Sequence, residues 1–165
     1  MAIPLALLFA ALLPIPSSAT RQAAGPTCVV ARIVDGDTFY CADRTKVRLT
    51  GVDSPERGQG RVARQASAAL ARRLPRGRRV VLELDVTRRD RYGRTLAWVW
   101  VGDTLVNEAL VRDGWAVRYT VPPNVKYVDR LGVAERSARA ARLGLWADGE
   151  RACRPADWRR HACVQ

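Results

Sequence analysis

Lysine is nearly absent from this chain, with Lys46 and Lys126 its only two examples, and histidine occurs once, at His161. No Cys-x-x-Cys pair is present. A lone histidine without such a pair argues against the common zinc sites. Coding bias towards arginine explains why lysine is rare, but it does not explain the excess of 28 basic over 16 acidic residues, a net charge of +12. A surface that positive attracts polyanions, and nucleic acid is the commonest of them. There is also no internal repeat and no low-complexity tract, and the composition is that of a globular protein.

Charge is wholly missing from Met1 to Ala19, where an apolar stretch from Ala2 to Ile15 leads to Ser17, Ser18 and Ala19. That small-x-small ending reads as a secretory signal peptide over residues 1–19, although a basic start is lacking. Pro4, Pro14 and Pro16 and the short length argue against a membrane-spanning helix. Cleavage after Ala19 would remove no charged side chain, so the mature chain would keep the full +12; with the signal removed no membrane insertion is expected, and the protein would be secreted or periplasmic. Cys28, Cys41, Cys153 and Cys163 form an even set that suits an oxidising compartment. Three pairings are open to four cysteines. Cys28 with Cys41 and Cys153 with Cys163 are favoured, since the first pair flanks a hairpin signal and the second closes a short loop.

At 165 residues the chain suits one domain. Residues 20–27 read as a flexible leader, 28–148 as the folded domain and 149–165 as a basic tail without regular period. The Asp35-Gly36 pair between two β-rich runs is a hairpin signal. Further strands are expected over Lys46–Val52, Arg79–Val86 and Thr95–Val101, the last with Leu96, Trp98 and Trp100 on one face. A helix is expected from Arg61 to Leu74, stopped by Pro75. A second, capped by Asp103 or Thr104, should end at Gly114. A third should bury Tyr127, Leu131, Ala134, Ala138, Ala141 and Leu145, with Trp146 anchoring its end. The order is compatible with a small closed OB-type barrel, α+β but mainly β.

Arg48-Leu-Thr-Gly-Val-Asp53-Ser54-Pro55-Glu56 sets an arginine and two carboxylates at the end of an apolar run. An arginine fork grips phosphate oxygens, one carboxylate can hold a hard cation, and the other can take a proton from water. Read in isolation, the stretch is more simply a strand followed by a turn in which Ser54 caps a helix. Asp37 likewise reads alone as a turn carboxylate beside Asp35, and Arg94 as an exposed hairpin arginine. If the second and third strands are neighbours, however, Asp37 and Asp53 lie at adjacent strand ends and repel unless a cation joins them. Calcium suits oxygen ligands and is plentiful outside the cell.

Val34–Thr38, Arg48–Glu56, Asp90–Arg94 and Asn107–Arg112 together resemble the thermonuclease family of staphylococcal nuclease homologues, over about Cys28 to Trp146. The resemblance implies a five-stranded OB-fold barrel with three helices. It also implies calcium-dependent hydrolysis of DNA and RNA to 5′-hydroxyl and 3′-phosphate ends. By motif, Asp37 and Asp53 would be the calcium carboxylates with the Ser54 carbonyl as a third ligand. Arg48 and Arg94 would clamp the phosphate, and Glu56 would be the general base. Tyr92 and Tyr119 are candidate substrate contacts, though Thr120 and Val121 leave the family's second tyrosine near Tyr119 unmatched. Asn107 and Glu108 read as structural. The tail, with Trp158 among Arg154, Arg159 and Arg160, is either an added nucleic-acid contact or a solvated loop carrying His161. The rival to a nuclease is a catalytically silent OB-fold module that only binds nucleic acid. Monomer is the default state, because no spare apolar surface is evident.

Overall fold

A computed structural model describes residues 25–148 and 153–163. The signal segment of 1–19 lies outside these residues. Strands β1 (Thr27–Ile33), β2 (Thr38–Cys41) and β3 (Lys46–Leu49) form an antiparallel meander, to which β5 (Arg79–Glu83) and β6 (Thr95–Val101) are added on the β1 side. The barrel closes where β3 meets β6 in parallel, with Val47, Arg48 and Leu49 opposite Thr95, Leu96 and Ala97. Closure leaves neither β3 nor β6 with an open edge on that side. Alternation along the strands sends Val30, Phe39, Val47, Leu49, Val80 and Leu82 into the interior, all buried. Each such side chain contributes about 1.5–3 kcal/mol relative to exposure. The five-stranded OB-type barrel expected from the sequence is therefore present.

Helix α1 (Arg61–Arg73) turns Ala63, Ala66, Ala69 and Leu70 inward and leaves Arg61, Arg64 and Arg72 exposed. Helix α2 (Val106–Arg112) packs on β6, and α3 (Val128–Ala140) packs against α2. Trp98 and Trp100 share one face of β6, and both meet the Tyr127 ring edge-on, at 5.1 and 5.7 Å. Trp146 is buried with Val117, Ala138 and Leu145, and the Arg139 guanidinium lies 4.2 Å from its ring centre. Both favoured disulfides are formed, Cys28–Cys41 between β1 and β2 and Cys153–Cys163 around the tail.

Several boundaries differ from the sequence expectations. The third strand stops at Leu49, because Thr50 and Gly51 turn the chain into β4 (Val52–Asp53), which pairs with β8 (Val117–Arg118). Gly51 has φ +75°, and a Cβ there would fall 2.5 Å from the Trp98 ring. The fourth strand ends at Glu83, short of Val86, because the residues beyond it bond outside the ladder. Asp85 accepts from the Trp98 indole N–H at 3.0 Å, and Thr87 exchanges two hydrogen bonds with the Asn124 side chain, each 2.7 Å. Neither Asp103 nor Thr104 caps α2. Thr104 and Leu105 are taken into a short strand, β7, paired with β6, and Leu105 is the capping residue without a side-chain bond. Helix α3 ends at Ala140, so Ala141 is exposed and Leu145 is buried from a separate 3-10 turn, Gly144–Trp146. Within the supposedly irregular tail, Pro155–Arg159 forms a fourth short helix, α4, opened by Pro155 in its first turn.

Candidate active site at the barrel end

The register between β2 and β3 sets Thr38 opposite Arg48, so Asp37, one residue before Thr38, reaches the arginine. Arg48 Nη1 lies 3.0 Å from Asp37 Oδ2, and its Nη2 lies 3.2 Å from Asp53 Oδ1. Nη1 also donates to the Val52 carbonyl at 2.9 Å, which fixes the fork against the turn into β4. Both carboxylates therefore bond one guanidinium of the same barrel end. Asp37 is further held by the Ser54 backbone N–H, donating at 2.8 Å, and by the Thr38 hydroxyl at 2.9 Å.

Gly36 lets this happen. A Cβ at position 36 would lie 2.7 Å from Ser54 Cβ and 2.9 Å from Ala66 Cβ, so the hairpin tip can rest on both only without a side chain. On the other side, Asn107 is fully buried; its amide donates to the Thr50 carbonyl at 2.8 Å and its carbonyl accepts from Val99 N–H at 2.9 Å. This ties α2 to β6 and to the turn that delivers Asp53, as the structural reading of Asn107 required. Glu108 pairs with Arg130 and stays away from the cleft.

Ser54 does not cap a helix. The 3-10 turn Arg57–Gln59 is preceded by Glu56, which exchanges bonds with Gln59: the Gln59 N–H donates to the Glu56 backbone carbonyl at 2.8 Å, and Glu56 N–H donates to Gln59 Oε1 at 2.7 Å. Glu56 therefore stands at the cleft edge with its side chain 42% exposed, while Asp37 and Asp53 are buried. Arg94 is held through Nε by Asp90 Oδ2 at 2.6 Å across the hairpin Asp90–Arg94. Burial acts to raise the Asp90 pKa, but the bonds from Arg94 and from the backbone N–H of Tyr92 outweigh it, and the pKa is lowered. Asp35 is pushed the other way, by burial first and then by the charge of Asp37 beside it.

These groups open onto one cleft of about 600 Å³, lined by Asp35, Asp37, Arg48, Asp53, Glu56, Tyr92 and Arg94 among others. Tyr119 does not line it. That tyrosine borders an adjoining apolar hollow of about 220 Å³, which shares Arg48 and Arg94 with the cleft. The carboxylate and main-chain oxygens around Asp37, Asp53 and Ser54 fit a hard cation that completes its shell with water, and they do not suit a tetrahedral zinc ion. Among the described residues no group of three or more His, Cys, Asp or Glu side chains could enclose a metal ion by itself.

The tail also reaches this cleft. Trp158, Arg159 and His161 form part of its wall. Arg159 Nη2 lies 2.7 Å from Asp53 Oδ2, and its Nη1 lies 2.5 Å from Glu56 Oε1. The bond to Asp53 above all, and that to Glu56, raise the Arg159 pKa against the opposing effect of burial. Sequence reasoning noted the tail's arginines and tryptophan but did not single out Arg159. Five helical residues have no period by which to rank Arg154, Arg159 and Arg160.

The fold and this cluster define a nuclease-type OB barrel, and comparison with known proteins gives the family. The description "Staphylococcal nuclease homologue" matches residues 46–148, and the chain belongs to that family. It is 34% identical to a thermonuclease of Staphylococcus hyicus, over 82% of this chain and 84% of the relative. A thermonuclease of Staphylococcus intermedius is 36% identical, over 74% and 77% respectively. Endonuclease YncB of Bacillus subtilis (strain 168) is 35% identical, over 70% of this chain and 59% of its own length.

Proposed function

We propose that the protein is a secreted or periplasmic, calcium-dependent and nonspecific nuclease, a hydrolase of phosphodiester bonds in DNA and RNA. The observation carrying this is the meeting of Asp37, Arg48 and Asp53 at one end of the barrel, with Glu56 and Arg94 on the same cleft. Family membership and relatives named thermonuclease and endonuclease support it.

Asp37, Asp53 and the Ser54 carbonyl would hold the calcium ion. Calcium, when bound, supplies positive charge beside the phosphate. Arg48 and Arg94 grip the equatorial phosphate oxygens, which gain negative charge as water adds, so both stabilise the transition state more than the ground state. Glu56 takes the proton of the attacking water. The new bond joins the water oxygen to phosphorus, and the bond from phosphorus to the 5′ oxygen breaks. A proton ends on that oxygen, leaving 5′-hydroxyl and 3′-phosphate ends. Tyr92, which lines the cleft, and Tyr119, which lines the adjoining hollow, would contact the bound nucleotides. The catalytic domain spans residues 28–148, follows a signal peptide of 1–19 and a leader of 20–27, and carries the disulfide-closed tail of 149–165 as a monomer. The disulfides suit an oxidising compartment.

Purified mature protein incubated with plasmid and with single-stranded DNA, in calcium or in excess EGTA, tests this beside a Glu56→Gln variant. Digestion that requires calcium and is lost in the variant, with 3′-phosphate ends by mass spectrometry, is expected. Tight nucleic-acid binding without digestion at any calcium concentration would make the chain a silent OB-fold binding module instead.

A further inference from the structure

The tail brings a second guanidinium to a carboxylate that Arg48 already holds. Arg159 Nη2 takes Asp53 Oδ2 at 2.7 Å, its Nη1 stands 3.3 Å from Oδ1, and the same Nη1 reaches Glu56 at 2.5 Å. The placement is built by several contacts. Gln59 Nε2 donates to the Cys153 carbonyl at 2.9 Å, and the Trp158 indole rests on Gly58, where a Cβ would stand 3.1 Å from the ring. The Cys153–Cys163 disulfide closes the loop across a separation of 10 residues. Asp157 accepts from Arg154 and from Arg160, at 2.6 Å each, which occupies the neighbouring arginines within the tail. Among the described tail residues, Arg159 is the arginine directed at the cleft carboxylates.

We propose that Arg159 is a tethered counter-ion that competes with the divalent cation for Asp53 while it also holds Glu56, so that the disulfide-closed tail sets the calcium concentration at which the site becomes active. This rests on the calcium-dependent reading given above. A carboxylate oxygen that accepts a short bond from a guanidinium has less negative potential to offer a cation, and the cation must displace Arg159 to gain the full charge of Asp53. Because the tail is fastened beside the cleft, the displaced guanidinium stays close by, and its return is an intramolecular event at high effective concentration. Reduction of Cys153–Cys163 loosens the tether and moves the balance towards the metal.

Calorimetric titration of the full mature protein with calcium tests this without relying on turnover. Arg159→Gln should tighten calcium binding about three- to tenfold, which corresponds to about 0.7–1.4 kcal/mol, and should lower the half-activating calcium concentration by the same factor. The paired variant Cys153→Ser, Cys163→Ser should shift binding in the same direction by a smaller factor, with the barrel left intact by its near-ultraviolet circular dichroism. Unchanged or weaker calcium binding in Arg159→Gln, with a raised KM for DNA, would overturn the competition and make Arg159 a substrate contact. A wild-type chain that takes up no calcium overturns the metal-dependent reading itself and this inference with it. Calcium-dependent digestion by the wild type with unaltered affinity in Arg159→Gln overturns only the inference.

Discussion

Asp53 is gripped by two arginines, one from the barrel and one from the tail, and they differ in every respect but charge. Arg48 comes from within the barrel wall, has a side chain 13% exposed, and is bonded to two backbone carbonyls as well as two carboxylates. Arg159 comes from a five-residue helix, is 42% exposed and is aimed by a disulfide loop. Between them stands Arg94, a hairpin arginine held by one local carboxylate. The lesson is that a salt bridge is worth what its surroundings make it. Losing one partner of a buried pair strands the other charge, whereas an exposed pair can be exchanged for water or for another ion.

Removing the innermost member should break the comparison most severely. Arg48→Ala leaves Asp37 and Asp53 facing one another, and a loss of about 3–5 kcal/mol is expected in chemical denaturation. Arg48→Lys keeps charge without the fork, so it should remain folded while kcat falls about 100-fold or more. Full activity in Arg48→Lys would count heavily against its phosphate role.

Next in size is Asn107, which supports the barrel side of the contrast without carrying charge. Asn107→Ala strands the Val99 N–H and the Thr50 carbonyl, and about 1–3 kcal/mol should be lost in a urea melt. Asp90→Asn probes the hairpin arginine. It should lower kcat/KM about tenfold by releasing Arg94, with a smaller effect on stability. Because the folded pKa of Asp90 is lowered from its ordinary 3.8, its stabilisation is complete above that value and fades as pH falls through the lower folded value. Melts of wild type and variant should therefore converge in acid below pH 3.8, and a gap that stayed constant would remove Asp90 as the titrating partner. Smallest is Arg159→Gln, whose thermal stability should stay within about 0.5 kcal/mol of wild type. A larger drop would show that the tail pair, despite its exposure, behaves as the barrel pair does.

How far the sequence foretold this contrast follows from the range of the interactions. The Asp-Gly hairpin and the alternating strand from Thr95 to Val101 are local patterns, and the matching elements formed where expected. What escaped depended on distant chain. Parallel closure of β3 on β6 brings Val47 to Thr95 across a whole helix, and no local period announces it. Thr104 looked like a helix cap because the pairing of β7 with β6 lies outside any capping pattern. Arg159 meets Asp53 across 106 positions, steered by a disulfide and a tryptophan whose landing place at Gly58 has no signature of its own. Three of the four motifs supply residues that line the cleft, whereas the arginine arriving from the tail could be recognised only as one of several.

The β4–β8 ladder has a consequence for how the cleft is held together. Asp37 and Arg48 belong to the barrel, but Asp53 sits in a two-residue strand paired to Val117, on the side where α3 packs. The cleft is therefore a seam between two parts of the molecule, and its carboxylates ride on different ones. Arg48, bonded to both acids, and the Ser54 N–H on Asp37 act as rivets across that seam, so the two parts are joined by the very groups that make the site.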